Sequence, residues 1–275
     1  MAREYRRLLI SPERLRAAVG SVALQHPELA LTAEESRYLT RVLRYGPGDR
    51  FAVLDGAGSL WSAWLQAADR AVLEQLLGAP LQHQPQPRPR LVLAAAVVKR
   101  DFEVVVRMAV ELGVDRLIPL LSERTAVQGQ MRTERWRTIA AEAAEQCERL
   151  WLPRIDEPTP LGALLAAAAA EQQPAAASLA LPQPATAPWC FWATTRRADL
   201  VTLDQRLRTA SAAPLPEAIW LACGPEGGWS ESEENQAMGC RWCPVDLGPR
   251  ILRSSTACVA GLSLISAWRA SSSRC

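Results

Sequence analysis

The chain has 275 residues, 49% of them hydrophobic and 22% charged, which supplies a packed core and excludes a wholly disordered chain. A net charge of +2 excludes a polycationic nucleic-acid wrapper, and seven cysteines, an odd number over so long a chain, argue against a secreted disulfide framework. Runs such as Leu91–Val98 and Leu161–Ala170 are too short to cross a bilayer, and no apolar leader follows the start, so a cytoplasmic protein with no membrane partner is expected.

Residues 1–82 read as short strands and turns. Phe51-Ala-Val-Leu54 runs into Asp55-Gly-Ala-Gly58, a hairpin-type turn, and Leu60–Leu65 is the return strand. Gly46-Pro-Gly-Asp49 is a second turn, and a short helix is expected around Ala33–Leu43. Together these make a small β-barrel-like domain. Residues 83–90 carry three prolines at alternate positions, which favour extended chain and mark a linker.

Residues 91–275 alternate strands with helices, the rhythm of a largely parallel α/β sheet. Leu91–Val98 is a continuous apolar run, as for a strand covered on both faces. Asp101 can cap a helix whose Phe102, Val105, Ala109 and Leu112 share one stripe, and Gly113 ends it. Asp115–Leu120 follows as a strand whose pairing Pro119 interrupts. Thr133–Arg149 is a second helix with an apolar stripe at Trp136, Ile139, Ala143 and Cys147. The Ala-, Pro- and Gln-rich stretch 160–188 reads as a helix and a variable loop, with further strands at Trp189–Ala193, Ala218–Cys223 and Arg241–Leu247. The last helix, Ser255–Trp268, is apolar nearly all round, as for a helix buried on more than one side or at a subunit interface.

The cations are unusual: Lys99 is the sole lysine among 31 Lys and Arg. Arginine's planar fork suits phosphate, although a GC-rich genome enriches Arg, Ala and Pro together. Cys240 and Cys243 are the only close cysteine pair, and the only histidines are His26 and His83, so buried thiols fit better than a metal site.

Two loops carry the chemistry. Gly224-Pro-Glu-Gly-Gly228 follows an apolar strand and precedes Ser230-x-x-Glu233, a capping box that starts a helix. Such a loop is either a plain tight turn or a place where backbone approaches a ligand. It is neither a Walker loop nor a dinucleotide fingerprint. Leu247-Gly-Pro-Arg-Ile-Leu-Arg253 again joins a strand to a helix, and its arginines are either ligand clamps or solvated loop charges.

In this order and spacing the two loops resemble the C-terminal half of the SPOUT superfamily, the trefoil-knotted S-adenosylmethionine methyltransferases. More narrowly, the chain is similar to the bacterial family that methylates N3 of a uridine in 16S ribosomal RNA. Glu111-Leu-Gly-Val114, Ser122-Glu-Arg124, Arg135-Trp136 with Glu142-Ala-Ala-Glu-Gln146, and Arg41-Val-Leu-Arg44 with Gly48-Asp49 carry the likeness from about Arg6 to Trp268.

The resemblance implies a PUA-like RNA-binding β-barrel domain at 1–82 and a SPOUT-type α/β domain with a deep trefoil knot at 91–275. It implies S-adenosylmethionine as methyl donor with no metal, 16S RNA of the small ribosomal subunit as substrate, and a homodimer packed through the knot and last helix. Gly224, Glu226, Gly227, Gly228, Leu247, Gly248, Ile251 and Leu252 would form the donor pocket, completed by the backbone at Trp192 and Ala193. Arg253 would stand nearest the reacting uracil and stabilise its anion. Glu145 and Gln146 are either positioning residues or part of a solvated helix face, and Arg7, Arg41 and Arg44 are candidate phosphate contacts. The family's usual Arg-Thr-Glu-Thr-Ala reads Arg253-Ser-Ser-Thr-Ala257 here, so Ser255 replaces a carboxylate. Trp229 stands where phenylalanine is usual, and Arg37-Tyr38 where a histidine pair often precedes the Val-Leu-Arg segment.

Overall fold

A computed structural model describes residues 5–18, 26–126, 131–172, 187–197, 200–210 and 215–272. The chain divides into two compact units, Met1–Gln86 with Ala141–Leu152, and Pro87–Ala140 with Pro153–Cys275. The variable loop expected within 160–188 falls mostly outside the described residues.

The first unit is a six-stranded mixed sheet. Its elements are β1 (Arg7–Leu9), α1 (Pro12–Ala18), β2 (Glu28–Ala30), α2 (Ala33–Arg37) continued by a π-helical turn Tyr38–Val42, β3 (Arg50–Leu54), β4 (Ser59–Ala67), β5 (Arg70–Leu73) and β6 (Gln82–His83). The order is β1-β3-β4-β5-β2 with β6 on β4, and only the β1–β3 pairing is parallel. The hairpin turn forms because Asp55 Oδ1 accepts the N–H groups of Ala57 and Ser59 at 2.7 and 2.9 Å, while Gly56 and Gly58 take positive φ. Both sheet faces are covered. Phe51, Val53 and Trp61 pack with Leu15 and Leu39 on one side, and Ala52, Leu54 and Leu60 meet Leu150 on the other. Residues 141–152 thus contribute core to a sheet far upstream in sequence. Sequence periodicity did not foresee that.

The second unit holds β7 (Arg90–Ala96), α3 (Phe102–Glu111), β8 (Arg116–Leu121), α4 (Thr133–Gln146, whose end counts with the first unit), β9 (Arg154–Ile155), β10 (Thr159–Pro160), α5 (Leu161–Gln172), β11 (Trp189–Ala193), α6 (Leu203–Ala210), β12 (Ala218–Cys223), α7 (Glu231–Gly239), β13 (Cys243–Val245) and α8 (Ser254–Ser272). Its seven-stranded sheet runs β10-β8-β7-β12-β11-β13 with β9 also on β8, and every pairing is parallel. The central strands are apolar throughout because they are covered on both faces. Trp192, Trp220 and Trp242 fill one layer, with Trp242 edge-on to each of the other two.

Two local expectations change. Pro119 stays in register with Ala95 on the β7 side. On the other side β9 pairs only with Arg116 and Leu117, and β10 only with Leu120 and Leu121, so the proline that cannot donate falls in the gap between them. Asp101 occupies the N-cap of α3 at φ +67 without a side-chain capping bond.

The apolar last helix buries Cys258, Gly261, Leu262, Ile265 and Trp268, while Val259, Ala260 and Leu264 stay half-buried. Near its end Arg269 reaches Asp115 at 2.7 Å and the carbonyls of Gly113 and Pro89, tying α8 to the turn before β8. No helix among the described residues is long and apolar enough to cross a membrane.

Candidate functional site

The carboxyl ends of adjacent parallel strands are where an open α/β sheet leaves a crevice. Here β11 and β12 end side by side at Ala193 and Cys223, and a cavity of about 440 Å³ opens beyond them. That is within the ~300–1,000 Å³ of small-molecule sites.

The glycine loop is held from four directions. The predicted capping box forms: Ser230 Oγ accepts the Glu233 N–H at 3.1 Å, and Glu233 Oε2 accepts the Ser230 N–H at 2.8 Å. Glu233 is 2% exposed, yet its other oxygen is also satisfied, by the Glu123 N–H at 2.8 Å. A buried carboxylate whose oxygens both accept backbone donors braces the loop. Arg124 donates to the carbonyls of Gly227 and Trp229 at 2.9 and 3.1 Å. The Trp229 ring stacks on Trp192 at 4.0 Å, and its Nε1 donates to the Ala193 carbonyl at 2.9 Å. Ser254, the first residue of α8, donates to the Gly224 carbonyl at 2.6 Å.

The glycines have distinct reasons. A Cβ on Gly224 would lie 2.9 Å from the Trp229 ring, and one on Gly227 would press on Arg124 at 3.3 Å. Gly228 faces open space but takes φ +69, in a turn closed by its N–H on the Pro225 carbonyl. In the second loop Gly248 takes φ +132 and donates to Asp246 Oδ1 at 3.1 Å.

The structure gathers most of the predicted pocket residues. Ala193, Gly224, Glu226, Gly227 and Gly228 line the cavity, as do Leu247, Ile251, Leu252 and Arg253 from the second loop. The Trp192 ring is buried, stacked beneath Trp229, so that of the expected backbone pair Ala193 is the residue that lines the cavity. Gly248 turns the second loop without lining the space. Arg253 is exposed at the cavity, and its guanidinium makes no hydrogen bond or ion pair among the described residues. Glu145 belongs to the first unit, where its Oε1 accepts the Leu9 N–H at 2.7 Å, so it serves packing there. Arg7 is spent in the same region, with its guanidinium on the carbonyl and carboxylate of Glu148, each at 2.7 Å. Arg41 and Arg44 are exposed and form no ion pair among the described residues.

Arg250, one of the two loop arginines read as either a clamp or a solvated charge, also lines the cavity, and sequence reasoning missed Arg124, Thr194, Glu234 and Asp246, which line it too. Thr194 donates to Glu234, fixing that carboxylate at the wall. Arg124 could have been found, since it closes the Ser122-Glu-Arg segment that follows the end of β8. Nothing in the spacing pointed to the others. Ser255 does not line the cavity, whereas Ser254 and Ala257 do. Cys223 does, but its hydrogen bond with Cys258 and its burial push its thiol well up, away from the thiolate a nucleophile needs.

Comparison with known proteins adds to this geometry. A family model described as an RNA methyltransferase domain matches residues 84–266, and one described as an RNA methyltransferase PUA domain matches residues 31–73. The chain is 36% identical to the ribosomal RNA small subunit methyltransferase E of Synechocystis, over 95% of this chain and 77% of that protein. It is 25% identical to the protein of the same name in Bacillus subtilis, over 87% and 90%. The crystal structure of a ribosomal RNA small subunit methyltransferase E from Neisseria gonorrhoeae bound to S-adenosyl methionine superposes with a TM-score of 0.71 at 24% identity, covering 96% of this chain and 98% of that one.

Proposed function

This chain belongs to the ribosomal RNA small subunit methyltransferase E family, and we propose that it transfers the methyl group of S-adenosylmethionine to N3 of a uridine in the 16S RNA of the small ribosomal subunit. The observation that carries the reading is the convergence of both glycine-bearing loops on one cavity at the sheet's carboxyl edge, tied by Ser254 and Gly224.

The lining suits the donor's chemistry. Glu226, Glu234 and Asp246 offer carboxylates to an ammonium or to ribose hydroxyls, and Arg124 and Arg250 offer guanidiniums to a carboxylate. Leu247, Leu252 and Ala257 supply apolar wall for an adenine. A ligand joining a nucleoside to a zwitterionic amino acid needs both kinds of surface. When bound, S-adenosylmethionine supplies an electrophilic methyl on a sulfonium sulfur.

The nucleophile is a weak one. An uncharged uridine N3–H would release its proton to solvent water before or during formation of the N–CH3 bond, and the donor's carbon–sulfur bond would break to leave a neutral thioether. Negative charge therefore grows on the uracil carbonyls, and a guanidinium free to donate to it stabilises it. Arg253 takes that role. Its neighbour Ile251 is 67% exposed, an apolar surface at the same cavity against which a base can lie. Arg41 and Arg44 serve as phosphate contacts. The half-buried side of α8, with Val259, Ala260 and Leu264, is the surface a second copy would cover in a homodimer, next to the trefoil threading the family implies.

The test is methylation in vitro with labelled S-adenosylmethionine and small ribosomal subunits that lack the modification. N3-methyluridine in the product nucleosides, identified by mass spectrometry, is the expected result. Donor binding without label transfer would move the substrate to another RNA. For the dimer, Leu264→Arg should elute from a sizing column as monomer or aggregate, and an unchanged dimer would refute that interface.

A further inference from the structure

The cavity at the sheet's carboxyl edge is not the only candidate site among the described residues, for a second one remains unexplained. This second cavity lies in the first unit, measures about 560 Å³, and is lined by Tyr5, Tyr45, Trp64, Asp49, Arg50 and Glu74 around the turn at Gly48. We infer that it receives an unpaired nucleobase of the RNA substrate, stacked on Trp64, walled by Tyr5 and Tyr45, and read at its edge by Asp49, Arg50 and Glu74. The inference rests on the RNA-substrate reading above and adds a recognition site to it.

Tyrosine is scarce in this chain. Only three tyrosines occur in 275 residues, and two of them line this cavity. Trp64 stands beside Arg50 in the β3–β4 register, and both side chains are presented to the cavity. The polar groups are fixed from behind. Asp49 Oδ2 accepts the Gly46 N–H at 2.8 Å, and Oε1 of Glu74 lies 2.9 Å from Arg50 Nε. The other Glu74 oxygen accepts from Ser62, which in turn accepts from Gln75 at 2.8 Å. Gly48 keeps the rim open, since nothing lies within 4 Å of where its Cβ would be.

Aromatic rings beside fixed acceptors and a donor match a nucleobase, which has π faces and an edge of N–H and carbonyl groups. Exposed Arg44, directly before Tyr45 and at φ +59, adds a cation for the phosphate of the same nucleotide. An aliphatic or purely anionic ligand would leave either the rings or the carboxylates without a partner.

Fluorescence anisotropy on the full chain tests this. The probes are a labelled single-stranded 12-nucleotide RNA of mixed sequence and an abasic ribose-phosphate strand of equal length, each at low and moderate salt. The wild type should prefer the base-bearing strand by about tenfold or more, as expected from base–aromatic stacking, and the preference should survive added salt while overall affinity falls. Trp64→Ala and Tyr5→Ala should bring the two probes to similar affinity, and Trp64→Phe should keep most of the preference. Tyr5 precedes the first strand, so its variant reports on the cavity even where Trp64→Ala fails to fold. A wild type without base preference, or variants that keep it, overturns the inference. Mononucleotides that bind this cavity as tightly as the oligonucleotide would reassign it to free nucleotides and overturn the RNA reading of it. Calorimetry with S-adenosylmethionine on the same proteins separates the two ideas: failure of the wild type to bind donor counts against the methyltransferase reading, and unchanged donor affinity in the variants confines their effect to this cavity.

Discussion

Ser254 Oγ gives a 2.6 Å hydrogen bond to the carbonyl of Gly224, a residue 30 positions upstream, and so joins the start of the last helix to the loop after β12. Both residues line the cavity, and Ser254 is buried, so water cannot easily replace the lost donor. Ser254→Ala leaves a carbonyl without its partner at a cost of about 1–2 kcal/mol. The expected result is a five- to thirtyfold weaker S-adenosylmethionine Kd by calorimetry, with the fold intact by circular dichroism. An unchanged Kd would show that the two loops hold their spacing without this bond.

Gly224→Ala should be harsher. Its Cβ would sit 2.9 Å from the Trp229 ring, and that ring has little freedom, being stacked on Trp192 and bonded through Nε1 to the Ala193 carbonyl. Overpacking of this kind costs about 1–3 kcal/mol. A fall in Tm together with loss of donor binding is expected. Gly228→Ala meets open space and carries only the strain of its positive φ, so it should cost about 1–2 kcal/mol and weaken binding less. Equal effects from the two substitutions would contradict the distinction.

Much of this site was legible in the sequence because local chemistry dictates it. The capping box Ser230-x-x-Glu233 forms as read, since reciprocal bonds within one turn need no distant partner. Strands β11 and β12 begin and end where their apolar runs do, because both faces of each are covered. What stayed hidden depends on residues far apart in sequence. The second oxygen of Glu233 is satisfied by Glu123, 110 positions away, and Arg124 crosses 103 positions to clamp Gly227. Arg7 looked like a free cation until Glu148 was placed beside it, 141 residues on. The expected backbone contribution at Trp192 and Ala193 said nothing of the Trp192 ring, which alternation along β11 turns into the core.

Arg124→Ala removes both bonds that hold the Gly227 and Trp229 carbonyls. The loop would lose its brace on that side, and about tenfold weaker donor binding is expected, near 1.4 kcal/mol. Arg124→Lys keeps the charge but replaces the planar fork, so it should recover affinity only in part. Full recovery by lysine would mean that charge, not loop geometry, matters at this position.

Arg253→Ala separates donor binding from chemistry. Its guanidinium braces nothing among the described residues, so the S-adenosylmethionine Kd should stay within about threefold of wild type, a change below ~0.7 kcal/mol. Methyl transfer should fall by about a hundredfold or more, the usual loss when one donor to a developing anion is removed. Single-turnover rates with small ribosomal subunits measure this, with a sizing column run in parallel to check assembly. Wild-type turnover in the variant would refute the role assigned to Arg253.

Glu145 gives the first unit a pH dependence of definite sign. Burial raises its carboxyl above the ordinary carboxylate range, the Leu9 N–H opposes the rise, and nearby Glu142 and Glu35 add to it. An acid whose pKa is raised on folding binds its proton more tightly in the native state, so ionising it costs stability. That cost is absent below the unfolded carboxylate pKa of about 4.3, grows as pH rises through the raised native value, and is complete above it. Glu145→Gln keeps an oxygen to accept the Leu9 N–H and removes the charge. Melting followed from acid to mildly alkaline pH should show the variant above the wild type at neutral pH, with the gap closing as pH falls through the carboxylate range. A variant less stable than wild type at neutral pH would mean that the ionised carboxylate earns more from the Leu9 bond than it loses by burial.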